Sequence, residues 1–186
     1  MQNVLLAISG PSGVGKGTLV KLLMEEDENL ALSVSCTTRA PREGEVDGRE
    51  YFFISKQEFL SRISEDDFLE YDEHFGNYYG TPRSFVERRL KEKSVVLEID
   101  VVGALNAKRL MPQTVLVMIV PPDMEELEDR LCGRGSESAC ERSERLRRVR
   151  YELAQQDKYD YVVVNDDLQT AKKRLQEIIQ TERNKG

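Results

Sequence analysis

The chain has 186 residues, enough for one full-sized hydrophobic core without help from metal or disulfides. Lys and Arg total 27 against 34 Asp and Glu, and the net charge of −7 argues against broad electrostatic binding to nucleic acid or to an anionic membrane surface. One histidine, His74, leaves no His-rich metal site and no mechanism needing two imidazoles; three cysteines without CxxC spacing point to a reducing, cytoplasmic setting.

Val4–Ile8 is continuously apolar rather than alternating, which predicts a strand buried on both faces of a parallel sheet. It runs into Gly10-Pro11-Ser12-Gly13-Val14-Gly15-Lys16-Gly17-Thr18 and then into a helical pattern carrying Leu19, Val20, Leu22 and Leu23. Strand, glycine loop, lysine and helix in that order make a phosphate-binding loop. Glycines let several backbone N–H groups converge on one anion, the helix N-terminus adds partial positive charge, and Lys16 reaches the outer phosphates of a nucleoside triphosphate. The Ser or Thr that ordinarily follows the lysine, and ordinarily meets Mg²⁺, is replaced by Gly17. Water is expected in its place, or an indirect contribution from Thr18.

Leu30–Ser35 is a fifth candidate strand beside Val4–Ile8, Val95–Ile99, Val115–Val120 and Tyr161–Val164. Residues 36–80 then break the alternation of strand and helix, being rich in polar, aromatic and glycine residues with a short strand-like run at Tyr51–Ile54. Arg39 and Arg42, spaced around Pro41, are placed to fork onto one anionic group. Thr81 before Pro82 predicts a helix start through Phe85, Val86 and Leu90, with Thr81 as its cap. Val95–Ile99 ends at Asp100, on the strand edge where α/β sheets bind ligands. After Pro121-Pro122, Asp123 and Glu126 read as a capping box for a helix bearing Leu127 and Leu131. Seven of the 17 arginines fall within residues 130–150. Leu146, Val149 and Leu153 form an apolar stripe there, so Arg147, Arg148 and Arg150 read as its solvated face. Leu168, Ala171, Leu175, Ile178 and Ile179 close the chain at helical spacing. Strands alternating with helices give an α/β sheet with right-handed crossovers, and 36–80 and 133–150 are insertions over one edge of it.

Several segments together are similar to guanylate kinases over about Val4 to Ile179: Ser9-Gly-Pro-Ser-Gly13, Ser33-Val-Ser-Cys-Thr-Thr-Arg39-Ala-Pro-Arg42-Glu-Gly-Glu45, Gly76-Asn-Tyr-Tyr-Gly-Thr81, Leu97-Glu-Ile-Asp100, Gly133-Arg-Gly135 and Val164-Asn-Asp-Asp167. The resemblance implies a P-loop kinase three-layer sandwich around a central five-stranded parallel sheet, with a GMP-binding insertion and an arginine-rich lid. Residues 1–35, 91–124 and 151–186 would form the core, 36–90 the insertion and 125–150 the lid. The implied reaction moves the γ-phosphoryl of ATP to GMP or dGMP, giving ADP and GDP, with Mg²⁺. By position, Gly10 to Thr18 would bind ATP together with Arg130, Arg134 and Asn165. Arg39, Arg42, Tyr51 and Tyr79 would hold the GMP phosphate, and Glu70 would accept the guanine N1–H and 2-amino protons. Ser35 and Thr81 would meet the O6 or N7 side. Lys16, Arg39, Arg134 and Arg145 would carry catalysis. Asp100 would lie near the guanine and the water shell of the metal, with no direct protein ligand to the metal assigned. Glu98 stands where the family usually has Asp, and Val101-Val102 where it has Trp-Gln. Two rival readings are another nucleoside monophosphate kinase, since Gly17-Thr18 is reminiscent of adenylate kinases, and an interaction module holding phosphopeptides. Ser35, Glu70 and Thr81 favour guanine over the first. Intact Gly10, Gly15, Lys16, Arg39, Arg42 and Arg145 speak against the second.

Overall fold

A computed structural model of the chain describes residues 2–74, 76–123, 127 and 139–185. The first part runs β1 (Leu5–Ser9), α1 (Lys16–Glu26), β2 (Leu30–Leu32), β3 (Cys36–Thr37) and β4 (Phe52–Phe53). Next come α2 (Lys56–Ser64), β5 (Phe68–His74), β6 (Asn77–Pro82), α3 (Arg83–Leu90) and β7 (Ser94–Glu98). The chain continues through α4 (Val101–Leu110), β8 (Val115–Val120), α5 (Ala139–Leu153), β9 (Tyr161–Val164) and α6 (Leu168–Arg183).

The five apolar runs assemble into one parallel sheet in the order β2–β7–β1–β8–β9. Every residue of β1 and β8 is buried, because helices cover both faces. Alternate residues sort into two cores. Leu6 and Ile8 join Leu19 and Leu23 of α1 and Leu175 and Ile178 of α6. Leu5 and Ala7 join Val86 of α3 and Ala104 and Ala107 of α4. Helix, sheet and helix form the expected three-layer sandwich. The second strand is shorter than its apolar run: β2 stops at Leu32, although the Ser33 N–H still donates to the Val96 carbonyl at 2.9 Å.

Between β2 and α3 the chain builds a second sheet, β4–β3–β6–β5, with parallel and antiparallel pairings. Cys36, Phe59 and Phe68 form its own small core, with the Phe59 and Phe68 rings stacked at 4.3 Å. Leu69, next along β5, turns the other way into the core beneath α3 and α4 and ties the small sheet to the large one.

Ser55, Asp100 and Asp167 cap α2, α4 and α6 by accepting a backbone N–H three residues on. The expected cap at Thr81 is not used. Thr81 lies within β6, Pro82 takes the N-cap position, and Asp67 accepts the first-turn N–H groups of Arg83 and Ser84. The Thr81 hydroxyl is committed to Glu70 instead. Glu126 of the expected capping box, together with Arg130 and Arg134, lies outside the described residues, as does the side chain of Arg145.

Candidate active site

The phosphate loop spans the six residues between β1 and α1, and its path is dictated by two close approaches. Gly10 has φ of +144°, and a Cβ there would stand 2.1 Å from the Ile119 carbonyl oxygen of β8. Gly15 begins α1 at φ of +91°, where a Cβ would meet the Asn165 amide nitrogen at 2.6 Å. Asn165, buried at the end of β9, donates that amide to the Val14 carbonyl at 2.7 Å and braces the loop from beneath. Within the loop, Pro11 and Val14 are buried, whereas Ser12, Gly13, Gly17 and Thr18 are exposed.

Lys16 arches over the loop, donating to the carbonyls of Gly10 at 2.5 Å and Pro11 at 3.0 Å. Burial lowers its pKa, and the nearby carboxylates of Glu152, Glu98 and Asp100 work against that shift. At the base of the loop, Ser9 at the end of β1 shares a 2.5 Å hydrogen bond with the Tyr159 hydroxyl, whose pKa burial pushes up to about 12.

Lys16 lines a cavity of about 690 Å³ with Gly10, Ser12, Tyr51, Glu98 and Asp100, closed on the α5 side by Arg148 and Glu152. A second cavity of about 600 Å³ is lined by Ser35, Glu70, Tyr79, Gly103 and their neighbours. The two share Tyr51, Glu98, Ile99, Asp100 and Arg148 as a common wall. The two cavities therefore adjoin along this wall.

The second cavity carries a chain of polar groups. The Thr81 hydroxyl donates to Glu70 Oε1 at 2.6 Å and lies 3.3 Å from the Ser35 hydroxyl. Cross-strand register sets Glu70 of β5 opposite Thr81 of β6, next to an irregularity at Phe68 that re-aims the strand. Burial raises the Glu70 pKa, the Thr81 hydrogen bond opposes it, and the Asp100 charge adds to it. Gly103 is what gives Glu70 room: a Cβ there would lie 3.0 Å from Glu70 Cγ and 3.3 Å from Asp100 Oδ1.

Arg39 lies at the mouth of this region, its guanidinium 5.7 Å from the centre of the Tyr51 ring and bonded to Tyr79. The Tyr51 and Tyr79 rings meet edge to face at 5.9 Å. Glu45 receives Arg39 Nη2 at 2.8 Å and the Arg42 backbone N–H at 2.6 Å, and both contacts hold its carboxyl below the usual carboxylate range. Both arginines thus converge on one carboxylate, Arg39 by its guanidinium and Arg42 by its backbone; neither lines a cavity, Arg39 standing against Tyr51 and the Arg42 side chain staying exposed.

Lys16, Ser35, Tyr51, Glu70, Tyr79 and Asp100 line the joined cavities, and Thr81 stands behind Glu70. Sequence reasoning missed Arg148 and Glu152. Arg148 reaches Asp100 Oδ2 at 3.1 Å and Glu152 at 3.2 Å, so it is not part of an idle solvated face. Its spacing from Glu152 signalled an ion pair on one helix, but nothing local reported that the pair borders a cavity. Cys36 is buried, and burial pushes its thiol up to about 11, which leaves it an inert core residue.

Glu98 is exposed at the end of β7, with a carboxylate oxygen 3.3 Å from where a Cβ on Gly17 would stand. Hard oxygen ligands therefore face the phosphate loop at Glu98 and Asp100. No cluster of three metal-ligating side chains occurs among the described residues. This donor set fits a cation held chiefly by phosphate oxygens and water. Among the described residues, no helix is long and apolar enough to cross a membrane.

The family described as guanylate kinase matches residues 2–182. A guanylate kinase of Clostridium perfringens is 49% identical over 183 residues, 98% of this chain and 85% of that one. A guanylate kinase of Caldanaerobacter subterraneus is also 49% identical over 183 residues, 98% of this chain and 89% of its own. Among solved structures, guanylate kinase from Anaplasma phagocytophilum superposes with a TM-score of 0.74 at 36% identity, covering 98% of this chain and 87% of that one.

Proposed function

This chain belongs to the guanylate kinase family, and from that premise we propose that it transfers the γ-phosphoryl of ATP to GMP or dGMP across the wall shared by its two cavities. The observation that carries this reading is the hydroxyl–hydroxyl–carboxylate chain of Ser35, Thr81 and Glu70 in one cavity, joined through Asp100 to the Lys16 phosphate loop in the other.

Glu70 accepts from the guanine N1–H and 2-amino groups and Ser35 meets the O6 or N7 side, while Thr81, fully buried and outside the cavity lining, is not free to meet the base as expected and instead holds Glu70 from behind. Adenine presents no N1–H, so it would leave a desolvated carboxylate unpaired. Tyr51 and Tyr79 hold the GMP phosphate with Arg39, for whose guanidinium the phosphate competes with Glu45, and the Arg42 side chain, outside both cavities, joins them only by turning inward. Gly10 to Thr18 wrap the ATP phosphates, Lys16 turning from the loop carbonyls toward the transferred group. Asn165 keeps the loop in place from below. Residues 36–90 are assigned to acceptor binding and 125–150, with Arg130, Arg134 and Arg145, to the ATP side.

Transfer between two phosphates asks for in-line positioning, charge neutralisation and exclusion of water, and needs no proton-abstracting base. Mg²⁺, when bound with ATP, would supply further charge neutralisation. Glu98 and Asp100 are the residues that would help hold it, Glu98 lying beside Gly17 where the usual hydroxyl is missing. A cytoplasmic setting suits a buried free thiol at Cys36.

The test is ADP formation from ATP and Mg²⁺ with GMP, dGMP, AMP, CMP and UMP offered singly. GMP and dGMP should be turned over rapidly and the other three poorly. Equal rates with AMP and GMP would remove the guanine assignment.

A further inference from the structure

The acceptor residues and the phosphate loop leave one cation in the site without a role. Arg148 is the only Lys or Arg lining both cavities among the described residues. Its neighbour Val149 is buried against Leu127, which fixes α5 at this point and sets residue 148 on the rim of the shared wall. Two carboxylates then fix the guanidinium. Nε donates to Glu152 at 3.2 Å and Nη2 to Asp100 at 3.1 Å, while Nη1 has no hydrogen bond among the described residues. A planar fork held on two edges and free on the third is preset for a further oxyanion.

Charge makes the same demand. In the Lys16 cavity two cations, Lys16 and Arg148, face the three carboxylates of Glu98, Asp100 and Glu152. Two phosphorylated nucleotides meeting at that wall need positive charge there, and of the two cations only Arg148 borders both. Its carboxylate partner Asp100 is partly exposed, so the pair is weak enough to lengthen when a dianion competes.

We propose that Arg148 is a further catalytic arginine, which donates from its Nη1 edge to the phosphoryl group as that group passes between the cavities. This rests on the phosphoryl-transfer reading above. The bond from the bridging oxygen of ATP to the γ-phosphorus breaks with its electron pair leaving on ADP, and a bond from a GMP phosphate oxygen to that phosphorus forms. Arg148 keeps all its protons and stabilises charge that is spread over the equatorial oxygens.

The experiment compares the parent chain with Arg148→Gln and Arg148→Lys in steady-state turnover of ATP and GMP, in thermal midpoint, and in binding of an oligophosphate that links adenosine to guanosine. Parent turnover of GMP is the control for the underlying reading, since its absence would strike the reaction itself before any variant is considered. With the parent active, Arg148→Gln should lose about tenfold or more in kcat, with KM for each nucleotide within about threefold and the thermal midpoint preserved. Binding of the linked compound should fall by about the same factor as kcat, and Arg148→Lys should recover part of both losses. Unchanged kcat in Arg148→Gln would overturn the proposal. So would a loss confined to KM, or one matched by a collapse of the thermal midpoint, either of which would assign Arg148 to anchoring α5.

Discussion

Glu70 shows how one side chain is tuned by three influences acting in different directions. Burial and the Asp100 charge disfavour its ionised form, and the Thr81 hydroxyl favours it. The net effect raises the folded pKa above the ordinary value of 4.5, so the folded chain binds this proton more tightly than the unfolded chain does. The contribution of Glu70 to stability is then most favourable below about pH 4.5, declines as pH rises through the raised folded value, and stays a penalty above it. Glu70→Gln keeps an acceptor for Thr81 and removes the charge. It should raise the thermal midpoint over the parent near neutral pH, with a gain that shrinks toward pH of about 4.5. A midpoint difference independent of pH would show that Glu70 carries no such penalty. The residue was placed by resemblance to the family alone. Its setting could not have been read locally, because Glu70 sits in a polar stretch and the space that admits its side chain is left by Gly103 of a helix 33 positions on.

Elements were legible where one physical demand dominated. The apolar runs became strands because strands covered on both faces must be apolar throughout, and β8 matches its run residue for residue. Thr81 was misread because two demands competed for one hydroxyl. A helix start would take it as a cap, yet in β6 it faces Glu70, and Asp67 from another segment supplies the acceptor that α3 needs. The first turn of α4 poses a similar contest at Gly103. On helix propensity alone, alanine there should stabilise by up to about 1 kcal/mol. A Cβ, however, would stand 3.0 Å from Glu70 Cγ and 3.3 Å from Asp100 Oδ1, both parts of the acceptor cavity. Gly103→Ala should therefore raise KM for GMP severalfold while leaving KM for ATP near the parent value, a split read directly from steady-state kinetics. Equal shifts for both nucleotides would mean that Gly103 does not govern the acceptor side.

On the scale of the whole molecule, the parallel sheet sets β1 and β7 side by side, so the phosphate loop and Glu98-Ile99-Asp100 leave from one edge. The small sheet brings Ser35, Glu70 and Tyr79 to face that edge, and α5 closes the far side with Arg148. Composition pointed to an acidic chain without a basic face. The described site keeps that character, with carboxylates interleaved among its cations rather than a wall of positive charge. The junction of sheet, insertion and α5 is the part that sequence left dark, since Arg148 and Asp100 lie 48 positions apart and neither segment names the other. Core and site should also separate by mutation. Leu175 is fully buried between α6 and the sheet and lines neither cavity, so Leu175→Ala should cost about 2–5 kcal/mol in urea unfolding with both KM values unchanged. A marked KM change would couple that core to the site.

The central claim is that guanine is chosen by Glu70 in a cavity distinct from the one that takes ATP. Its most direct test is the pair of KM values for GMP and ATP, measured in the parent and in Glu70→Ala under saturating partner nucleotide. The expected result is a loss for GMP of about tenfold or more, with ATP within about twofold of the parent. Equal losses for the two nucleotides, or an undiminished affinity for GMP, would contradict it.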